Sequence, residues 1–223
     1  MIGVFDSGRG GLAAACSIRR TMPFADIVYL ADRENAPYGT KSREQLVFLV
    51  CEDIRRLLEI GAEKILIACC TASTVYDLLP ERYKAVSVPI VQPTAKAAAN
   101  LTKGSVSVFA TEATVKSGAF EREIKNEVID CAVKEIPAQN VVKLVEFGAD
   151  TDKILKEVKK LCENLPSETD TVILGCTHFS FAREQFALCL GADVRIVDAA
   201  AVGANCIINK KIGASGNARC IYI

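Results

Sequence analysis

Two stretches of the chain share one outline. In "ILIACCTAS" (65–73) and "VILGCTHFS" (172–180) an apolar run ends at cysteine and passes to threonine, and the second carries the only histidine, His178. A thiol acts as base or nucleophile only in its thiolate form. Cys69 and Cys176 each close a hydrophobic strand at an expected helix start, where unpaired N–H groups and the positive end of the helix dipole favour thiolate. Two such thiols facing one cleft suit a particular chemistry: one removes a proton from a carbon, the other returns a proton from the opposite side, and the centre inverts. No cofactor is needed for this. The alternative for the same residues is a pair of core cysteines at strand ends.

The other reactive residues are weighed against plainer roles. Asp6 ends an otherwise apolar strand just before "SGRGG" (7–11), so it either reaches a cleft or caps the helix beginning near Gly11. The glycines permit close backbone approach, yet the pattern is neither G-x-G-x-x-G nor a P-loop, which disfavours nucleotide binding. His178, two residues beyond a thiol, is placed to donate to a thiolate or relay a proton. Cys69, Cys70, Cys176 and His178 offer four soft ligands, but their spacing lacks a C-x-x-C pair and no metal is expected. That lack, and the strain of a disulfide between neighbours, argue against redox exchange through Cys69 and Cys70. Cys16, Cys51, Cys131, Cys162, Cys189, Cys206 and Cys220 fall in apolar or helical contexts, where a free thiol behaves as a small hydrophobe.

These side chains need a scaffold to hold them. The 223 residues can bury a sizeable core, half are hydrophobic, and Lys plus Arg equals Asp plus Glu at 27 each. Mixed charge, absent Trp and 6% aromatics argue against a nucleic-acid partner. No apolar run approaches the ~20 residues of a membrane span, and nothing resembles a secretory leader. A reducing cytosol is therefore expected, with the ten cysteines mostly free and any special ones catalytic or metal-binding rather than crosslinking.

Short β-branched runs predict strands at 2–7, 26–32, 64–70, 89–93, 105–111, 132–138, 171–177 and 194–200, with "ARCIYI" (218–223) as a last one. Amphipathic segments fill the gaps. One at about 41–60 aligns Leu46, Phe48, Leu49, Ile54, Leu57 and Leu58, with Ser42 as N-cap and Gly61 as stop. Another at about 151–163 aligns Ile154, Leu155, Val158 and Leu161. Alternating strands and helices imply an α/β fold with parallel-rich sheets. "VFDSG" followed by "ILIACCTAS" is echoed, at nearly the same separation, by "VFATE" followed by "VILGCTHFS". Two similar α/β domains related by pseudo-twofold symmetry follow, 1–93 plus 199–223 and 94–198, with a ligand cleft between the C-terminal ends of their strands.

The chain resembles the glutamate racemase family of the aspartate/glutamate racemase superfamily through "GVFDSGRGGL" (3–12), "APYGTKS" (36–42), "IACCTAS" (67–73), "TEATVKSGAF" (111–120), "LVEFG" (144–148) and "LGCTHFS" (174–180). The motifs stand in the family's order across almost the whole chain. The resemblance implies two α/β domains with the active site between them, and Cys69 and Cys176 as paired acid/base residues on opposite faces of a substrate Cα. It implies that Asp6 and Ser7 hold the amino group and help tune Cys69, which makes Asp6 a catalytic residue, that Pro37, Tyr38 and Gly39 contact a carboxylate end, and that Cys70, Thr71 and Thr177 stand at substrate-binding positions. His178 and Glu146 match acid/base partners of Cys176, and Thr111 and Thr114 match the cleft wall. A cytoplasmic, cofactor-independent homodimer making D-glutamate for peptidoglycan is the implied whole. The departures are Cys70 where the family has Asn, "GRGG" for "GVGG", Arg33 for a small polar residue, "CTHFS" for "CTHYP", and an end at "CIYI" where a further segment is expected. They leave open aspartate as substrate, or an amino-acid-binding protein with impaired turnover.

Overall fold

A computed structural model of the chain describes residues 1–209 and 218–223; part of the 199–223 segment assigned to the first half, 210–217, lies outside them. Parallel strands form among the described residues, the central ones being runs of Ile, Val, Leu and Phe buried on both faces and the edge runs "AVKEIP", "RIVD" and "CIY" being partly exposed. They are β1 (Ile2–Asp6), β2 (Ile27–Ala31), β3 (Lys64–Ile67), β4 (Ser87–Pro89), β5 (Ser105–Ala110), β6 (Ala132–Pro137), β7 (Thr171–Gly175), β8 (Arg195–Asp198) and β9 (Cys220–Tyr222). Two sheets result, ordered β4-β3-β1-β2-β9 and β6-β5-β7-β8, with every pairing parallel. Read from the other edge, the second sheet is β8-β7-β5-β6. Each of its strands thus matches the one four earlier in the first sheet, β1 with β5 and β3 with β7. The repeat seen in the sequence is a repeat of topology.

Helices cover both faces of each sheet. Arg43–Glu59 is entered through a reciprocal capping box, Gln45 N donating to Ser42 Oγ at 3.2 Å and Ser42 N to Gln45 Oε1 at 2.9 Å. It is left through Gly61, whose φ of +100° suits a residue without Cβ. Its buried face is Leu46, Val50, Asp53, Ile54 and Leu57. Phe48 was expected there but is 65% exposed; two positions from Leu46 or Val50 on a 3.6-residue turn puts it on the far side. Asp53 is the unexpected member of the stripe.

One predicted strand is not observed. "PIVQP" (89–93) contributes only Pro89 to a strand, and the helix Val91–Ala99 begins at once. Pro93 stands in the first turn, where its missing N–H would be unpaired in any case. This helix packs Val91, Ala95 and Ala98 with Val106, Val108 and Phe120 beside the second sheet. The helix Ala199–Ile208 puts Ala200, Ala204 and Ile207 among Ile2, Val4 and Ile18 beside the first. Among the described residues no helix is long and apolar enough to cross a membrane.

Candidate active site

The strands at the middle of each sheet end at one place. Asp6 and Ser7 follow β1, Cys69, Cys70 and Thr71 follow β3, Thr111 follows β5, and Cys176, Thr177 and His178 follow β7. With Pro37, Tyr38 and Gly39 they line a single cavity of about 270 Å³, which suits a small molecule. Thr114 and Glu146 do not line it. Thr114 is fully buried behind the wall, its hydroxyl 3.2 Å from Thr71 Oγ1 and 2.8 Å from Thr111 Oγ1. Glu146 acts through His178, whose Nε2 lies 2.5 Å from Glu146 Oε2.

Sequence reading missed Thr40, Glu112, Gln139, Val142 and Lys143, which complete the lining. A signal for three of them was present. Gln139, Val142 and Lys143 precede Glu146 by seven, four and three positions on the helix Gln139–Glu146, so they share its face.

Each thiol has its own surroundings. Cys69 precedes the one-turn helix Cys70–Ser73, with Ser7 Oγ 3.6 Å from its sulfur. Burial, and then the neighbouring Asp6 carboxylate, push its pKa up to about 12. The thiolate expected from the helix start is therefore disfavoured at neutral pH, because a four-residue helix has little dipole to set against burial. Cys176 Sγ lies 3.6 Å from His178 Nδ1. Burial works against a charged His178, but its contacts with Cys176 and Glu146 win and raise its pKa to about 10. Glu146 is correspondingly held below the usual carboxylate range by His178. Cys176, the imidazolium and Glu146 form one chain of proton donors and acceptors, whereas the first thiol has Ser7 and Asp6 beside it.

His178 being the only histidine, its ring signals in an NMR titration are unambiguous. They are expected to show a charged ring up to about pH 10. Since the raised value exceeds that of a free imidazole, this protonation stabilises the fold below about pH 6.5 and is lost as pH rises through about 10. In Glu146→Gln the midpoint should fall by about a unit or more. An unmoved midpoint would remove Glu146 from the chain.

The loop after β1 ties the halves together. Asp6, 1% exposed, accepts from Gly8 N and from Thr177 Oγ1, both at 2.9 Å, so it bridges the cleft rather than capping the following helix, whose N-cap position is Gly11. Burial raises its pKa against the opposing pull of His178. Arg9 N donates to Glu146 Oε2 at 3.4 Å, and Tyr29 Oη donates to Gly8 O at 2.6 Å. Gly10 is required by contact: a Cβ there would overlap Thr177 Oγ1 and stand 2.5 Å from His178 Nδ1. Cys70, 3% exposed, also lines the cavity but packs with Ile90, Val91 and Ala199 as a small hydrophobe. Burial raises its pKa well above the thiol norm.

Comparison with known proteins fits this arrangement. Residues 12–207 match the model of the Asp/Glu/hydantoin racemase family. A glutamate racemase of Desulforudis audaxviator is 37% identical over 204 residues, spanning 90% of this chain and 75% of that one. A glutamate racemase isoform of Bacillus anthracis superposes with a TM-score of 0.86 at 30% identity, over 100% of this chain and 86% of the other. The Francisella tularensis glutamate racemase, solved with D-glutamate, gives 0.88 at 28% identity, over 99% and 86%. With two like-ordered parallel sheets, a cysteine after the third strand of each repeat, and these relatives over nearly its whole length, the chain belongs to the Asp/Glu/hydantoin racemase family, among the glutamate racemases.

Proposed function

We propose that this amino-acid racemase interconverts L- and D-glutamate, with Cys69 and Cys176 as the two acid/base groups. One observation carries the reading: the two thiols end equivalent strands of two like-ordered sheets and open into the same small cavity. One sulfur, as thiolate, takes the Cα proton, and the electron pair left behind delocalises into the substrate carboxylate. The opposite thiol then delivers its proton to the other face, so the enzyme ends with thiol and thiolate exchanged. Water exclusion and N–H donors around the carboxylate stabilise the developing charge.

The halves differ in how they reset. His178 and Glu146 give Cys176 a route for its proton. Cys69 rests as thiol beside Asp6, and the incoming ammonium, held by Asp6 and Ser7, brings a positive charge next to that thiol and favours its ionisation. Tyr38, Gly39, Thr71 and Thr177 hold the carboxylates. The halves of this reading are 1–93 with 199–223 and 94–198. Cytosolic supply of D-glutamate to peptidoglycan by a homodimer completes it, on the strength of the resemblance.

Circular dichroism of L-glutamate and L-aspartate incubated with the purified protein tests the reading; glutamate should lose its signal faster. Cys70 is the observation that favours aspartate as second reading, since a thiol offers much weaker hydrogen bonds than the amide of Asn. Cys70→Asn should lower the KM for glutamate about tenfold, the worth of one regained hydrogen bond at roughly 1.4 kcal/mol. A KM that stays or rises would show that the packing of Cys70 has fixed another substrate geometry.

A further inference from the structure

Behind the cavity wall two buried carboxyl groups share one phenol. Tyr38 Oη lies 2.6 Å from Asp32 Oδ2 and 2.7 Å from Asp53 Oδ2. The three residues are 1%, 3% and 2% exposed. A phenol hydroxyl has one hydrogen and can donate to one carboxylate only. The second contact therefore needs a proton on a carboxyl group, or it becomes a close approach of two bare acceptors, with two like charges in a dry pocket.

The surroundings decide where that proton goes. Asp32 is served by Asn35, whose Nδ2 donates to Oδ1 at 3.0 Å and to Oδ2 at 3.1 Å. Asp53, in the middle of the helix Arg43–Glu59, faces Tyr38 and Asp32 across the pocket. On its own helix its charged neighbours are Arg56, with Nη1 3.7 Å from Oδ1 and its side chain 45% exposed, and Glu52, which opposes ionisation. A half-solvated cation at that distance is a weak partner. We infer that Asp53 holds the shared proton and is a positioning residue for the cavity: protonated, it donates to Tyr38 Oη and fixes the Tyr38–Thr40 turn, and on ionisation it lets go.

Tyr38 and Gly39 line the cavity, so the turn is substrate-facing wall. Burial, outweighing the bond from Tyr38, raises the Asp53 pKa to about 7. Tyr38 itself is pushed far above the usual phenol range by burial and by Asp53, so it keeps its hydrogen throughout. The sign follows: a carboxyl with a raised folded pKa contributes stability that is complete below its unfolded value of 3.8 and lost as pH rises through about 7. Alkaline pH thus loosens the turn.

Two measurements test this. The kinetic one rests on the glutamate reading of the cavity: KM for glutamate should rise roughly tenfold from about pH 6 to about pH 8.5, while Asp53→Asn, whose amide donates at every pH, keeps a flat KM. The same rise in Asp53→Asn would overturn the proposal. The other is infrared titration of the substrate-free protein, and it does not depend on what the cavity binds. Glu135→Gln serves as background, because burial raises the Glu135 pKa to about 7 as well. A protonated-carboxyl band should fade through about pH 7 and be missing when Asp53→Asn is added. No such band in the Glu135→Gln protein, or an unchanged band after Asp53→Asn, overturns the proposal even if turnover is never seen.

Discussion

Cys69→Ala and Cys176→Ala should each lower racemisation of glutamate by about 10³-fold or more, within or beyond the usual worth of a positioned acid or base. The expectation rests on division of labour. In the proposed scheme each side chain serves one face of Cα, as the two follow strands of different sheets and line one cavity. Both are 6% exposed, and removing a sulfur opens little space, so far-ultraviolet circular dichroism should match the parent. Double substitution should cost scarcely more than either single one, since groups acting as a unit are not additive. Near-normal turnover in either single variant would end the two-thiol scheme.

Gly10→Ala should lose activity by about 10²-fold although residue 10 does not line the cavity, the scale of loss from a misplacement of about 1 Å in a catalytic group. The new methyl group overlaps Thr177 Oγ1 and crowds His178 Nδ1. Neither neighbour is a free side-chain end. Thr177 is bonded to Asp6 across the cleft, and His178 is bonded to Glu146 and lies against Cys176. Relief must move the imidazole, the Asp6 bridge or the whole loop. The loss should therefore fall on kcat and shift the His178 NMR midpoint. Unchanged kinetics in Gly10→Ala would show that the loop does not hold these groups in place.

The fold was largely legible because its information is local. Continuous Ile, Val and Leu runs marked buried parallel strands, and the Ser42 cap and Gly61 stop marked a helix to within a few residues. "PIVQP" was misread because Ile and Val signal strand while Pro93 is equally at home in a first helical turn. At the site, the residues that end strands were legible, since strand ends in parallel sheets face ligands. The protonation of Cys69 was not, because burial is a property of the assembled halves and outweighs the helix start. The resemblance marks Tyr38 as a carboxylate contact, but its tie to Asp53 joins a turn to the buried face of a helix, and such a contact leaves no spacing to count. Arg9 likewise meets Glu146 only once the two sheets are set side by side.

Two thiols on opposite faces leave an isotopic signature in the first turnovers. In deuterated water, starting from L-glutamate, the D-glutamate formed should carry deuterium at Cα from solvent, while recovered L-glutamate keeps its original hydrogen. Deuterium entering the recovered L-glutamate as fast as the product, or product retaining the original hydrogen, would mean that a single base serves both faces.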